Sequence, residues 1–349
     1  MNKILIEDGL SLYNKTGVGQ YTQNLYNILK SMDCVVLMQR KYFLEKIKNP
    51  YLRRFLYLIW VNLIFPFYCY ANKVDKIIFT NTNFPIYKLA KIKYYIVLHD
   101  LWADKFPETM PIIKRKYAKF ILSNIKRLAY KIITVSNTVK KEIIDYYNCS
   151  DKKISVIYNY FSFGEKPQIE LLEKEQNTIL ENYGIQSKEY ILSVGSLNKR
   201  KNIQMLINAF NLVKTDKKLI IVGKNENINL SNKNKNIIFT GYISDDELKI
   251  LYKNALFFVF PSLYEGFGIP LIDAQSFGVP VLCSDITIFR EIGDNNVEYA
   301  NISVGDFAQK INYLLHNNER LNTLSNLGFE NTKRFSKNII LKQIKEIFN

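Results

Sequence analysis

The pattern predicts an α/β protein of two Rossmann-like, doubly wound domains facing across a cleft. Three observations carry that expectation. Short apolar runs alternate with helical periodicities through both halves of the chain, as parallel strands joined by helical crossovers require. A polar stretch over 166–188, with Glu173-Lys-Glu-Gln-Asn inside it, interrupts the alternation and reads as an inter-domain connection. Glycine turns and ionisable residues fall directly after strands, where sheets of this kind hold their ligands. At 349 residues the chain exceeds the usual single-domain size, and with 48% apolar residues both domains have material for a core. The divisions expected are a first domain over 1–165, a linker over 166–188, a second domain over 189–334 and a closing helix over 335–349.

In the first half the strand runs begin at Lys3, Val35, Lys76, Tyr94, Lys131 and Ile154. In the second they begin at Tyr190, Lys218, Asn236, Leu256 and Val279. Each is short and mainly apolar, and Leu256–Phe260 wholly so, as strands covered on both faces are. One run, Phe55 to Ala71, is long enough to raise a membrane span. Asn62 and Pro66 interrupt it, and it falls short of the roughly 20 apolar residues a span needs. A buried or surface-docked helix ending at Pro66 is expected, ahead of a membrane-dipping helix or a true span.

The formal net charge is +16, which fits nucleic acid, an anionic membrane surface or phosphorylated substrates. No nucleic-acid motif accompanies it, so no nucleic-acid partner is expected. The most basic segment spans 112–128, where Ile113, Tyr117, Phe120, Ile121, Ile125 and Leu128 recur at helical spacing. Lys114, Arg115, Lys116, Lys119, Lys126 and Arg127 lie between them. Such a helix either lies on anionic lipid or turns its apolar side to a core and leaves the basic side solvated. Cys34, Cys69, Cys149 and Cys283 show no paired spacing, which fits a reducing cytosol and argues against a disulfide framework or a zinc site. The chain enters its first strand pattern at once, with no signal-peptide core ahead of it.

The chemistry gathers at strand ends. After the first strand, Gly17 and Gly19 permit a tight turn whose backbone N–H groups can approach a phosphate or sugar. His99-Asp100 follow the strand that begins at Tyr94. Lys199, Arg200 and Lys201 lie between a strand and a helix, a placement suited to a diphosphate. Glu265 and Asp273 stand eight positions apart around Gly266 and Gly268, with Pro270 suited to the first turn of a helix. The N–H groups at such a helix start attract anions. Ser244-Asp-Asp-Glu247 has the look of an acidic metal cluster, but its spacing before an apolar run is that of a helix capping box.

Taken in order, Gly17-Val-Gly-Gln-Tyr21, His99-Asp100, Thr134-Val-Ser136, Gly195 to Asn202, Gly241 to Leu248 and Glu265 to Asp273 resemble the motifs of glycosyltransferase family 4. Those are retaining group 1 glycosyltransferases of the GT-B architecture. The resemblance implies transfer of a sugar from a nucleotide diphosphate sugar to an acceptor hydroxyl, with no obligatory metal and no cofactor beyond that substrate. By similarity, Glu265 faces the donor sugar and supports its oxocarbenium-like centre, and His99 contacts the donor sugar or the transferring group. Arg200 and Lys201 hold the diphosphate, helped by backbone groups at Gly17, Gly19 and the helix start Gly266, Phe267, Gly268 and Ile269. Asp273 bonds the ribose, and Gly241, Tyr242 and Ile243 border the base. The first domain then takes the acceptor side, the second the nucleotide sugar, and helix 335–349 crosses back to the first.

The setting implied is bacterial surface polysaccharide, an O-antigen, capsule or lipid-linked glycan. The location implied is cytoplasmic, with peripheral contact at the anionic inner face of the cytoplasmic membrane through 112–128. A GT-B sugar-nucleotide epimerase and a non-catalytic sugar-nucleotide binder are the alternatives. Two departures stand out. The family usually has glutamate where this chain has Asp273, shorter by one C–C bond of about 1.5 Å. Tyr160-Phe161-Ser162 replaces a glycine turn common in relatives.

Overall fold

The computed structural model describes residues 3–8, 17–30, 32, 35–38, 44, 46–89, 91–107, 112–165, 167–226 and 228–348. The chain divides into two compact units, Met1–Tyr160 with Lys337–Asn349, and Phe161–Ser336.

Unit 1 contains β1 (Lys3–Glu7), α1 (Gly17–Lys30), β2 (Val35–Met38), α2 (Pro50–Ala71), β3 (Lys76–Phe79), β4 (Lys93–Leu98), α3 (Trp102–Lys105), α4 (Ile112–Leu128), β5 (Lys131–Thr134), α5 (Asn137–Tyr147) and β6 (Ile154–Val156). Its strands form a parallel sheet in the order β2-β1-β3-β4-β5-β6. The order reverses between β1 and β3, so the ends of those two strands flank the switch point.

Unit 2 contains α6 (Glu173–Asn182), β7 (Tyr190–Val194), α7 (Ile203–Leu212), β8 (Lys218–Val222), β9 (Ile237–Gly241), α8 (Asp245–Asn254), β10 (Phe257–Phe260), α9 (Ile269–Ser276), β11 (Val281–Ser284), α10 (Thr287–Gly293), β12 (Glu298–Ala300), α11 (Val304–Leu315) and α12 (Asn318–Asn331). This second parallel sheet runs β12-β11-β10-β7-β8-β9, with its switch point between β7 and β10. The terminal helix α13 (Lys337–Phe348) belongs to unit 1. There the Phe348 ring packs 4.6 Å from Tyr95, the buried Lys76 Nζ donates to the Phe348 carbonyl at 2.6 Å, and Gln343 Oε1 accepts from the Tyr158 N–H.

Apolar strand runs explain both sheets. Lys76–Phe79 is buried along its whole length, as is Phe257–Phe260. Helices cover both faces, so continuous apolar strands leave no solvent side to satisfy. Among the described residues Cys69, Cys149 and Cys283 are buried free thiols.

Three expectations need correction. The helix begun near Pro50 does not end at Pro66; it runs to Ala71 through a π-helical turn, Trp60–Ile64. A proline clashes with the carbonyl four residues earlier and leaves it without its helical partner. Here that carbonyl belongs to Asn62, and the wider turn frees it to accept from the Tyr87 hydroxyl. The Asn62 side chain accepts in turn from the Ile86 N–H. Second, 166–188 is not a bare linker, because it holds α6, which packs on α8 within unit 2 and buries Leu180. Its solvent face is so polar that the single buried leucine gave no visible period. Third, in the basic helix α4, Leu122, Ile125 and Leu128 are buried while Phe120, expected on the apolar side, is exposed. Lys119, Lys126 and Arg127 are exposed as well, so over this part α4 is a core-facing helix with a solvated basic side. The side chains of Ile113, Lys114, Tyr117 and Ile121 lie outside the described residues.

Candidate active site

The charged centre of unit 2 forms at its switch point. Lys199–Lys201 follow β7 in a short 3-10 turn capped by the Asn198 side chain, which accepts from the Lys201 N–H. Glu265 follows β10. A backbone bond from the Leu263 N–H to the Arg200 carbonyl ties the two loops together at 2.8 Å. Glu265 is buried, and its Oε1 accepts from Lys201 Nζ at 2.6 Å and from Ser262 Oγ at 2.8 Å. Oε2 lies 3.4 Å from the half-exposed Arg200 guanidinium. The Lys201 ammonium also sits 4.6 Å over the Phe260 ring, an electrostatic contact that favours its charge. Burial opposes ionisation of Glu265, but Lys201, Arg200 and the Lys201 and Ser262 hydrogen bonds outweigh it and hold the carboxyl below its usual range. Burial also lowers the Lys201 ammonium, with Glu265 pulling the other way. The 2.6 Å contact between the ammonium and the carboxylate makes the two a buried ion pair.

Two glycines make this crossing possible. Gly223, at the end of β8, has φ +148°, and a Cβ there would fall 2.0 Å from the Gly195 carbonyl oxygen. Only glycine lets the β7 and β8 ends come this close. Gly268 caps α9 at φ +105°, with the Phe289 ring 3.0 Å from where a Cβ would stand. Pro270 lies in the first turn of α9, where its missing N–H costs nothing. Phe267 anchors this helix start from below, its ring edge-on to Phe335.

Asp273 lies one turn into α9 and apart from the Glu265 network. It is buried, and its Oδ1 accepts from the Ser162 N–H at 2.8 Å. Burial pushes its carboxyl up to about 7, against the Ser162 hydrogen bonds that favour the charge. Gly241 closes β9 in the left-handed region and accepts from the Gly223 N–H, followed by exposed Tyr242 and nearly buried Ile243. Ser244 and Glu247 form the capping box of α8.

Unit 1 has a different strand-end cluster. His99 follows β4, with its Nε2 2.9 Å from the Thr80 carbonyl. A carbonyl only accepts, so Nε2 carries the proton and Nδ1 is left as the acceptor. Burial lowers the imidazole below its ordinary value, with the Thr80 bond and Asp100 opposing. The Tyr21 ring stands edge-on to it at 4.9 Å, and the Thr22 and Thr80 hydroxyls lie 2.8 Å apart. Gly17 and Gly19, expected in a turn, are the first residues of α1 itself. The turn residues Tyr13 to Thr16 lie outside the described residues.

Several residues of these clusters were not predicted as site residues, among them Thr22, Thr80, Gly223, Ser262 and Phe260, and Ser162 was noted only as a departure in its loop. Ser262 carried a signal, three positions before Glu265 in the same loop. Nothing in the sequence paired Ser162 with Asp273, which lies 111 positions away.

Two parallel doubly wound sheets, the second with an acid and two cations at its switch point, define the GT-B class of fold. The sequence profile of Glycosyltransferase Family 4 matches residues 17–161 and that of Glycosyl transferases group 1 matches 175–331, and the chain belongs to this family. It is 35% identical over 215 residues to the O-antigen chain mannosyltransferase RfbU of Salmonella typhimurium, covering 59% of this chain and 56% of that one. To O-antigen chain mannosyltransferase B of Escherichia coli it is 31% identical over 206 residues, covering 56% and 53%. The chain thus spans a little over half the length of these curated relatives. In fold it is similar to Anabaena HepE in complex with UDP-glucose, with a TM-score of 0.74, 16% identity and 99% of both chains covered.

Proposed function

We propose that this chain transfers a sugar, with retention at the anomeric carbon and without an obligatory metal, from a nucleotide diphosphate sugar to an acceptor hydroxyl. The setting is a bacterial surface glycan, an O-antigen, a capsule or a lipid-linked glycan. The observation that carries the reading is the buried Glu265–Lys201 pair with Arg200 beside it, at the unit 2 switch point and next to a helix start. The reaction must stabilise negative charge growing on a leaving diphosphate and positive character on the sugar ring. Preorganised charges serve both needs at once. Arg200, half-exposed, reaches the diphosphate. Lys201 adds positive potential while fixing the carboxylate of Glu265 toward the sugar. With the N–H groups at the α9 start, these carry the phosphate charge, so the scheme calls on no metal and no cofactor.

Asp273 meets the ribose, Gly241 to Ile243 border the base, and His99 contacts the donor sugar or the transferring group. The acceptor is a glycan or lipid-linked glycan, and the enzyme works in the cytoplasm at the inner membrane face. The named activity of the two relatives makes a mannosyl donor the first to test.

Thermal shift against GDP-, UDP- and dTDP-sugars reads donor binding, and release of nucleotide diphosphate with and without lipid-linked acceptor extract reads transfer. Stabilisation by one donor with acceptor-dependent release is the expected result. Release independent of acceptor would favour an epimerase, and binding without release a non-catalytic binder.

A further inference from the structure

Helix α2 has two apolar sides, and the core of unit 1 uses one. Tyr57, Trp60, Val61, Phe65 and Cys69 are buried in that core, and the Tyr57 hydroxyl donates to the buried Glu7 carboxylate at 3.1 Å. On the other side Tyr51, Phe55, Leu63 and Phe67 are 82%, 60%, 63% and 76% exposed. They stand four positions apart, with Ile59 completing the row. In a pure α-helix such a row drifts by about 40° per step. The wider π turn at Trp60–Ile64 takes up part of that drift and holds Leu63 and Phe67 on the side begun by Tyr51 and Phe55. Ile86 and Tyr87, both exposed and both bonded to Asn62, extend the patch sideways.

Within the helix itself the charged residues, Arg53 and Arg54, are cations, and Asp75 stands exposed just beyond its end. From Lys46 to Val74 the sequence contains Lys46, Lys48, Arg53, Arg54 and Lys73 and no Asp or Glu. Lys46, Lys48 and Arg54 are exposed at one end and Lys73 at the other. An exposed apolar row bracketed by cations complements a surface with an anionic headgroup layer over hydrocarbon. The helix is long and apolar enough to cross a membrane, but a spanning helix has no side locked into a water-soluble core.

We infer that α2 is the membrane-docking element of this protein: it lies in the plane of an anionic bilayer with Tyr51, Phe55, Leu63 and Phe67 inserted and its opposite side fixed to the sheet. The inference rests on the membrane-face reading above and moves the contact from the basic helix α4 to α2.

The test is sedimentation of the full chain with vesicles of equal parts phosphatidylglycerol and phosphatidylethanolamine, beside vesicles of phosphatidylcholine alone. Wild type is expected to partition preferentially to the anionic vesicles. The double variant Phe55→Ser, Phe67→Ser is expected to lose partitioning about tenfold or more, since it removes two inserted rings, while Lys116→Gln, Lys119→Gln changes it by less than about twofold. The substituted rings are exposed, so the melting temperature of the serine variant should stay within about two degrees of wild type. Wild-type partitioning by the serine variant overturns the inference. So does an equal loss in the α4 variant, or a dimer without vesicle binding that the serine variant turns into a monomer. Nucleotide release with a detergent-dispersed acceptor is read separately: its absence in wild type sinks the transferase reading and leaves the vesicle result standing.

Discussion

Both units are parallel doubly wound sheets, but they differ in strand order and in what gathers at their strand ends. In unit 2 the strand ends carry charge: Lys201 and Glu265 are buried together, with Arg200 on the rim. In unit 1 the end of β1 carries the buried acids Glu7 and Asp8, while the cluster around His99 is neutral: an imidazole whose protonation burial disfavours, a tyrosine ring and two threonine hydroxyls. Both sets are largely desolvated, so the difference is one of ligand chemistry. A buried ion pair contributes little net stability against its desolvation cost. It does keep a strong, oriented field ready for a charged ligand. Neutral acceptors such as Nδ1 of His99 suit hydroxyl groups, which need orienting and no counter-charge.

The strongest attempt to break this contrast is Glu265→Ala. It removes the carboxylate proposed to face the sugar and leaves Lys201 buried without its partner, so transfer should fall on the order of a thousandfold and the protein should lose about 3 kcal/mol of stability. Steady-state turnover and chemical denaturation measure the two losses, and near-normal turnover would remove Glu265 from the chemistry. Arg200→Ala comes next. Loss of a charge-assisted bond to the diphosphate should weaken binding of nucleotide diphosphate alone by roughly tenfold to a hundredfold, read by calorimetry. On the proposed role of His99 at the donor sugar or the transferring group, His99→Ala should lower kcat about tenfold and leave nucleotide diphosphate affinity unchanged. If nucleotide affinity dropped as well, the division of labour between the units would be wrong.

The smallest effect concerns Asp273. Its carboxyl is raised from 3.8 to about 7 in the folded protein, so between those values the folded state holds a proton that the unfolded chain has lost. Its stabilising contribution is full below about 4 and fades as pH rises to about 7. Asp273→Asn keeps the side chain neutral, so melting temperature measured across pH 4 to 7 should decline less than in wild type, by a few degrees. An unchanged slope would mean that Asp273 is ionised throughout.

Much of the fold was legible because its strands are short, mainly apolar runs whose pattern needs no partner to be seen. β12 was not: it is three residues long and opens with Glu298, a buried carboxylate bonded by Lys310 at 2.7 Å and Arg320 at 2.8 Å. The continuation of α2 past Pro66 was hidden for a similar reason. Its rescue depends on Tyr87, a side chain from another segment. In the candidate site, the residue types at the strand ends were readable, since glycine, proline and charge at those places announce a ligand-bearing loop. Their pairing was not.

Sequence alone determined which segments are strands, which loops carry cations or carboxylates, and the family to which the motifs belong. Tertiary structure decided that Lys201 rather than Lys199 is the buried partner of Glu265, that Asp273 answers to Ser162, and that α2 turns a second apolar side outward. The physical reason is range. Periodicity and turn chemistry are written in neighbouring residues, whereas the 64 positions between Lys201 and Glu265 are closed only by the order in which β7 and β10 pair in the sheet.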